Sequence, residues 1–154
     1  MCARVNSGIS PLYLTDQHLI AESVEITMIT GALRKDGGII KGKVPDKFTL
    51  GTGHINFFKP RLQYLKNRLQ SVNDEMRRRG FKVGTTLNPD EFKPILRADW
   101  KPTLVDSVQV RLRIEDRLKN PLKAKVGFHK YCGETIEDMN EFVERLKKSK
   151  LHHV

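Results

Sequence analysis

The chain has 154 residues, of which 38% are hydrophobic and 30% charged, so it is long enough for one domain with a real core. No apolar run is long enough to cross a bilayer and no basic-then-apolar leader opens the chain, which predicts a protein that stays in the compartment where it is made, inside the cell. A formal charge of +10 points to a polyanionic partner, and the two cysteines, Cys2 and Cys132, are too few for a disulfide framework.

Residues 1 to 15, with Gly8 and Pro11, read as an irregular arm. A first helix is predicted over 16 to 35. Asp16 stands as its N-cap, Leu19, Ile20, Val24, Ile26, Ile29 and Leu33 supply apolar positions, and Asp36-Gly37-Gly38 stops it. Residues 39 to 58 read as a loop that Phe48, Ile55, Phe57 and Phe58 anchor on the core. The second helix has Pro60 in its first turn and Gly80 at its end, with Leu62, Leu65, Leu69, Val72 and Met76 at three- and four-residue steps. Residues 81 to 102, with three prolines, read as irregular. A third helix is predicted over 103 to 119, with strand as the minor alternative, and a fourth over 134 to 150. The expected fold is all-α: a compact single domain of three main helices with long loops, residues 1 to 133, plus a C-terminal helical extension, residues 134 to 154.

The basic residues are unevenly placed. Residues 59 to 82 carry eight against two acidic residues, and residues 111 to 130 carry seven against two. Side chains that neutralise phosphates release counterions and bind nucleic acid in a salt-sensitive way. Arg113 and Arg117 lie four apart and share a helix face. Phe128-His129-Lys130-Tyr131 mixes rings and charge, which suits stacking on bases as well as packing on a core. On the first helix, His18, Glu22 and Glu25 fall in one stripe. By itself such a stripe reads as a solvated face. On a polyanion-binding protein it also reads as acid–base chemistry at a sugar. No Cys/His cluster has zinc spacing, and no metal or cofactor is expected.

Several blocks in order resemble one family. Arg4-Val5-Asn6, Asp16-Gln17-His18-Leu19-Ile20-Ala21-Glu22 with Glu25, and Gly31-Ala32-Leu33-Arg34-Lys35 come first. Phe48 through Phe58, Arg79-Gly80-Phe81, Arg113-Ile114-Glu115-Asp116-Arg117 and Lys130-Tyr131-Cys132-Gly133 follow. Together they resemble the pyrimidine-dimer DNA glycosylases of the phage endonuclease V type. The resemblance implies a three-helix fold that kinks duplex DNA and flips out a nucleotide, working as a monomer. It implies catalysis through the α-amine of Cys2 after removal of Met1: the amine displaces the base, an imine forms, and β-elimination cuts the strand. Glu25 falls on the family's catalytic carboxylate and His18 on its histidine. Arg4, Gln17, Arg34, Lys35, Arg113, Arg117, Lys130 and Tyr131 fall on the expected DNA contacts. Because the family is mostly encoded by phages and large DNA viruses, the resemblance also implies a viral origin and the host cytoplasm. Val24 and Met28 stand where the family has arginines, and the arm is longer by two residues. The expected substrate is a pyrimidine dimer or, given these departures, another damaged or modified pyrimidine in duplex DNA; the alternative is a non-catalytic DNA-binding protein of the same fold. A cysteine-thiol nucleophile has no adjacent histidine or asparagine motif to support it.

Overall fold

The protein, seen in a computed structural model, is described over residues 4–120 and 129–154. Five helices carry the fold: α1 (Asp16–Lys35), α2 (His54–Phe58), α3 (Leu62–Arg78), α4 (Leu104–Lys119) and α5 (Met139–Lys148). A two-stranded antiparallel hairpin, β1 (Lys130–Tyr131) with β2 (Glu134–Thr135), joins α4 to α5. Among the described residues no helix is long and apolar enough to cross a membrane.

α1 and α3 pack face to face. Leu19, Ile26, Ile29 and Leu33 of α1 meet a core that Leu62, Leu65, Leu69, Val72 and Met76 of α3 help build. The cap of α1 is Thr15 rather than Asp16: the Thr15 hydroxyl accepts the His18 N–H at 3.1 Å. That frees the Asp16 carboxylate. It pairs with Arg79 at 2.9 Å and accepts the N–H groups of Cys132 and Gly133 at 2.9 and 2.7 Å, tying the hairpin turn to the start of α1. α1 ends in a Schellman motif, with Gly38 N–H donating to Leu33 and Gly37 N–H to Arg34. Gly37 sits at φ 72°, where a side chain is strained.

The loop of residues 39 to 58 is anchored by its aromatics as expected, and it contains the short α2 besides. Phe48, Phe57, Phe58, Tyr64 and Trp100 form one ring cluster with centroids 5.0–6.0 Å apart. Residues 81 to 102 form two single 3-10 turns, Pro89–Glu91 and Pro94–Leu96, and bury Leu87, Phe92 and Leu96. α4 opens with a capping box in which Thr103 and Asp106 satisfy each other's backbone N–H groups. The last helix starts at Met139, later than the predicted 134, because Glu134 and Thr135 are drawn into the hairpin. Val143 and Leu146 of α5 join the core against α4, and Arg111 of α4 donates to the Lys147 and Ser149 carbonyls near its end.

Candidate active site

Three elements meet at one small cleft of about 30 Å³. The N-terminal arm supplies Arg4 and Asn6, α1 supplies His18, Ala21 and Glu25, and α4 supplies Arg113, Ile114 and Arg117. A larger groove of about 500 Å³ lies elsewhere, between Leu12, Tyr13 and α5. Glu137, Asp138 and Glu141 outnumber the one cation of its lining, Arg145, which itself pairs with Glu141, so the groove disfavours phosphate and size does not locate the chemistry.

The arm is fastened at successive points. Val5 donates its N–H to His54 Nε2 at 3.1 Å, while His54 Nδ1 faces the Thr49 carbonyl at 2.8 Å. Those two partners require a neutral ring protonated on Nδ1. Burial agrees, pushing the His54 pKa down to about 4. Asn6 Nδ2 donates to Glu22 Oε1 at 2.9 Å, and Asn6 Oδ1 accepts from Arg113 at 3.1 Å. Gly8 passes against α4, where a Cβ would come within 2.7 Å of Ser107. Arg68 donates to the Ile9 carbonyl at 2.6 Å.

Glu22, read with His18 and Glu25 as an acidic stripe, has a separate task. It is 1% exposed and gripped by the fully buried Arg68, with Nε to Oε2 at 2.6 Å and Nη2 to Oε1 at 3.0 Å. Burial works against the Arg68 charge, but the Glu22 carboxylate outweighs it and holds the guanidinium pKa above its ordinary value. Glu25 is half-exposed in the cleft. Burial and the Glu22 charge raise its pKa above the usual carboxylate range, while Arg4, Arg113 and Arg117 pull the other way. Burial, with Arg4 beside it, pushes Arg113 down to about 10, so it stays charged at neutral pH. His18 is pushed down to about 4 by burial, then by His129, Arg117, Arg4 and Arg113. Its Nδ1 has no hydrogen-bond partner among the described residues, and its ring lies 5.3 Å from that of His129. Three guanidiniums around one carboxylate make the cleft a place for an anion, and the neutral imidazole adds no charge to it.

Other predicted contacts lie away from this cleft. Gln17 Oε1 accepts the Lys130 N–H at 2.8 Å, at the opening of α1. Tyr131 donates its hydroxyl to the Leu12 carbonyl at 2.8 Å, and the Arg79 guanidinium lies 4.1 Å from its ring centre. Arg34 pairs with Glu91 at the far end of α1, and Lys35 beside it is exposed. Cys2 lies outside the described residues, as do Lys123, Lys125 and Phe128. The basic excess of residues 59 to 82 is partly spent internally: Arg68 and Arg79 are buried in ion pairs, Arg78 pairs with Glu75 and Arg77 with Asp74. Asn6, His54 and Arg68 were not singled out from sequence. Arg68 did carry a signal, since it sits between Leu65 and Val72 on the apolar side of α3.

The family described as pyrimidine dimer DNA glycosylase matches residues 7–89, just over half of the chain, from the arm through α1 and α3 to the first 3-10 turn after it. With α1 presenting Glu25 beneath the arginines of the arm and α4, the chain belongs to the pyrimidine dimer DNA glycosylase family.

Proposed function

We propose that the protein removes a damaged pyrimidine from duplex DNA, as a monomer, and then cuts the strand at the resulting abasic site. The nucleophile is the α-amine of Cys2, exposed once Met1 is removed. What carries this reading is that Arg4, two residues after Cys2, lines the same cleft as Glu25. An α-amine has a pKa of about 8, against about 10.4 for lysine, so a useful fraction is unprotonated at neutral pH.

The amine nitrogen bonds to C1′ as the C1′–N bond to the base breaks, and the base leaves with that electron pair and a proton. Opening of the C1′–O4′ bond gives the imine. Loss of a C2′ proton then expels the 3′ phosphate by β-elimination, and water releases the sugar fragment and restores the amine. Glu25 faces the positive character that develops at C1′ and moves protons, a task suited to a carboxylate whose pKa burial has raised. Arg4, Arg113 and Arg117 hold the flanking phosphates. His18, kept neutral, lines the cleft beside Glu25 without adding charge to it. Gln17, Arg34, Lys35, Lys130 and Tyr131 extend the DNA contact beyond the cleft.

Glu25→Gln keeps the shape and removes the charge. Strand cutting should fall by about 10²–10⁴-fold while duplex affinity, read by fluorescence anisotropy, changes little. Equal cutting by this variant would refute the role given to Glu25.

A further inference from the structure

α1 has a second exposed feature beside the cleft. Ile20, Val24 and Met28 recur at four-residue steps and are 39%, 51% and 40% exposed. They form a ridge about 12 Å long, the length of three to four stacked base pairs. Val24 adjoins Glu25 and Ile20 adjoins Ala21, so the ridge borders the lining of the cleft. Gln17 and Lys35 lie on the same side of the helix at its two ends. Between Gln17 and Arg34 the outward face bears no charge except Glu25, on a chain of net charge +10.

A helix with apolar residues on both faces is expected to be covered on both. The inner face packs on α3. The outer face lies in continuity with the cleft, which makes DNA held at that cleft the occupant the geometry favours. Aliphatic side chains cannot pair with phosphates, but they can cover the apolar face of a base that has lost its stacking neighbour. Gly31, next along this side, fits that occupant. Among the described residues a Cβ there would meet nothing within 4 Å, so no packing among them requires glycine in mid-helix.

We propose that Ile20, Val24 and Met28 form an apolar platform that packs on nucleobases unstacked beside the target nucleotide, so that this site selects DNA by lost stacking rather than by an added phosphate clamp. The inference rests on the cleft being the site of sugar chemistry.

The test compares the full chain with Val24→Asn/Met28→Gln, substitutions at exposed positions whose folding is checked by thermal unfolding. Binding is measured on a duplex with a tetrahydrofuran abasic analogue, which cannot form an imine, and on the undamaged duplex of the same sequence. Affinity for the analogue should fall about tenfold or more, with affinity for undamaged DNA and the salt dependence of both unchanged. Equal losses on both duplexes, a changed salt slope or no loss at all would overturn the platform. So would a concentration-dependent dimer of the wild-type chain that the variant breaks, which would give the ridge to a second copy. Borohydride trapping on a true abasic duplex at saturating protein separates the two readings. Trapping in both proteins without an affinity difference sinks the platform alone, and no trapping even in the wild type sinks the chemistry beneath it.

Discussion

Arg68→Met tests how the site is held together. Arg68 and Glu22 are both essentially unexposed, and their ion pair is joined by Asn6 on the Glu22 carboxylate and by the Ile9 carbonyl on Arg68. Removing the guanidinium leaves a buried carboxylate with one amide donor. Breaking a buried pair in this way costs about 3–5 kcal/mol. For a domain of this size, 1 kcal/mol moves Tm by about 2–4 °C, so Arg68→Met should lower Tm by about 6–20 °C. Glu22→Gln should cost a comparable amount, since it strands the cation. The double variant Glu22→Gln/Arg68→Met carries neither stranded charge and keeps an acceptor for Asn6. It should therefore be more stable than the sum of the single losses by 1 kcal/mol or more. Urea unfolding of the four proteins at pH 7 gives the full cycle. Additive losses, or a cost below 1 kcal/mol for Arg68→Met, would refute the view that this pair anchors the arm.

Acid should destabilise the protein through its buried histidines. His54 takes up a proton at about 4 when folded and near 6.5 when unfolded, so its contribution is complete above pH 6.5 and is lost as pH falls toward 4. Between pH 7 and 5 this amounts to about 2 kcal/mol, and His18 adds to the same slope. His54→Gln should flatten that part of the stability profile, and an unchanged slope would contradict the tautomer assigned from Val5 and Thr49. Gly31→Ala should raise stability by about 0.5–1 kcal/mol, measured by urea unfolding, because the new methyl meets open space and helical alanine restricts the unfolded chain. A destabilised Gly31→Ala would mean that this face is packed in a way the free protein does not display.

The long elements were legible from apolar spacing and stop signals. α1 runs from Asp16 to Lys35 as its pattern predicts, and α3 ends where Gly80 closes the turn. α2 and the hairpin were not legible, because five residues make little more than one helical turn and a dipeptide only one strand repeat, too short for a pattern to recur. Asp16 was misplaced as the cap since Thr15 and Asp16 both suit that position, and only the hairpin turn and Arg79 show why the carboxylate sits one residue inside. The stripe of His18, Glu22 and Glu25 was visible, but not its division of labour. Helical angle alone cannot say that Glu22 turns toward α3 while Glu25 opens to the cleft. The arginines that count as surface charge in a sum divide in space, Arg68 and Arg111 holding the fold and Arg113 and Arg117 facing the site.

The claim that the chemistry runs through the N-terminal amine is tested most directly by borohydride reduction. The Met-processed protein is mixed with abasic-site and ultraviolet-irradiated duplexes, reduced, and resolved on a denaturing gel, and the adduct is located by mass spectrometry. The account predicts a covalent complex whose link lies on the α-amine of Cys2. DNA binding without any reduced adduct on either duplex, or an adduct on a lysine or on the Cys2 thiol, would contradict it.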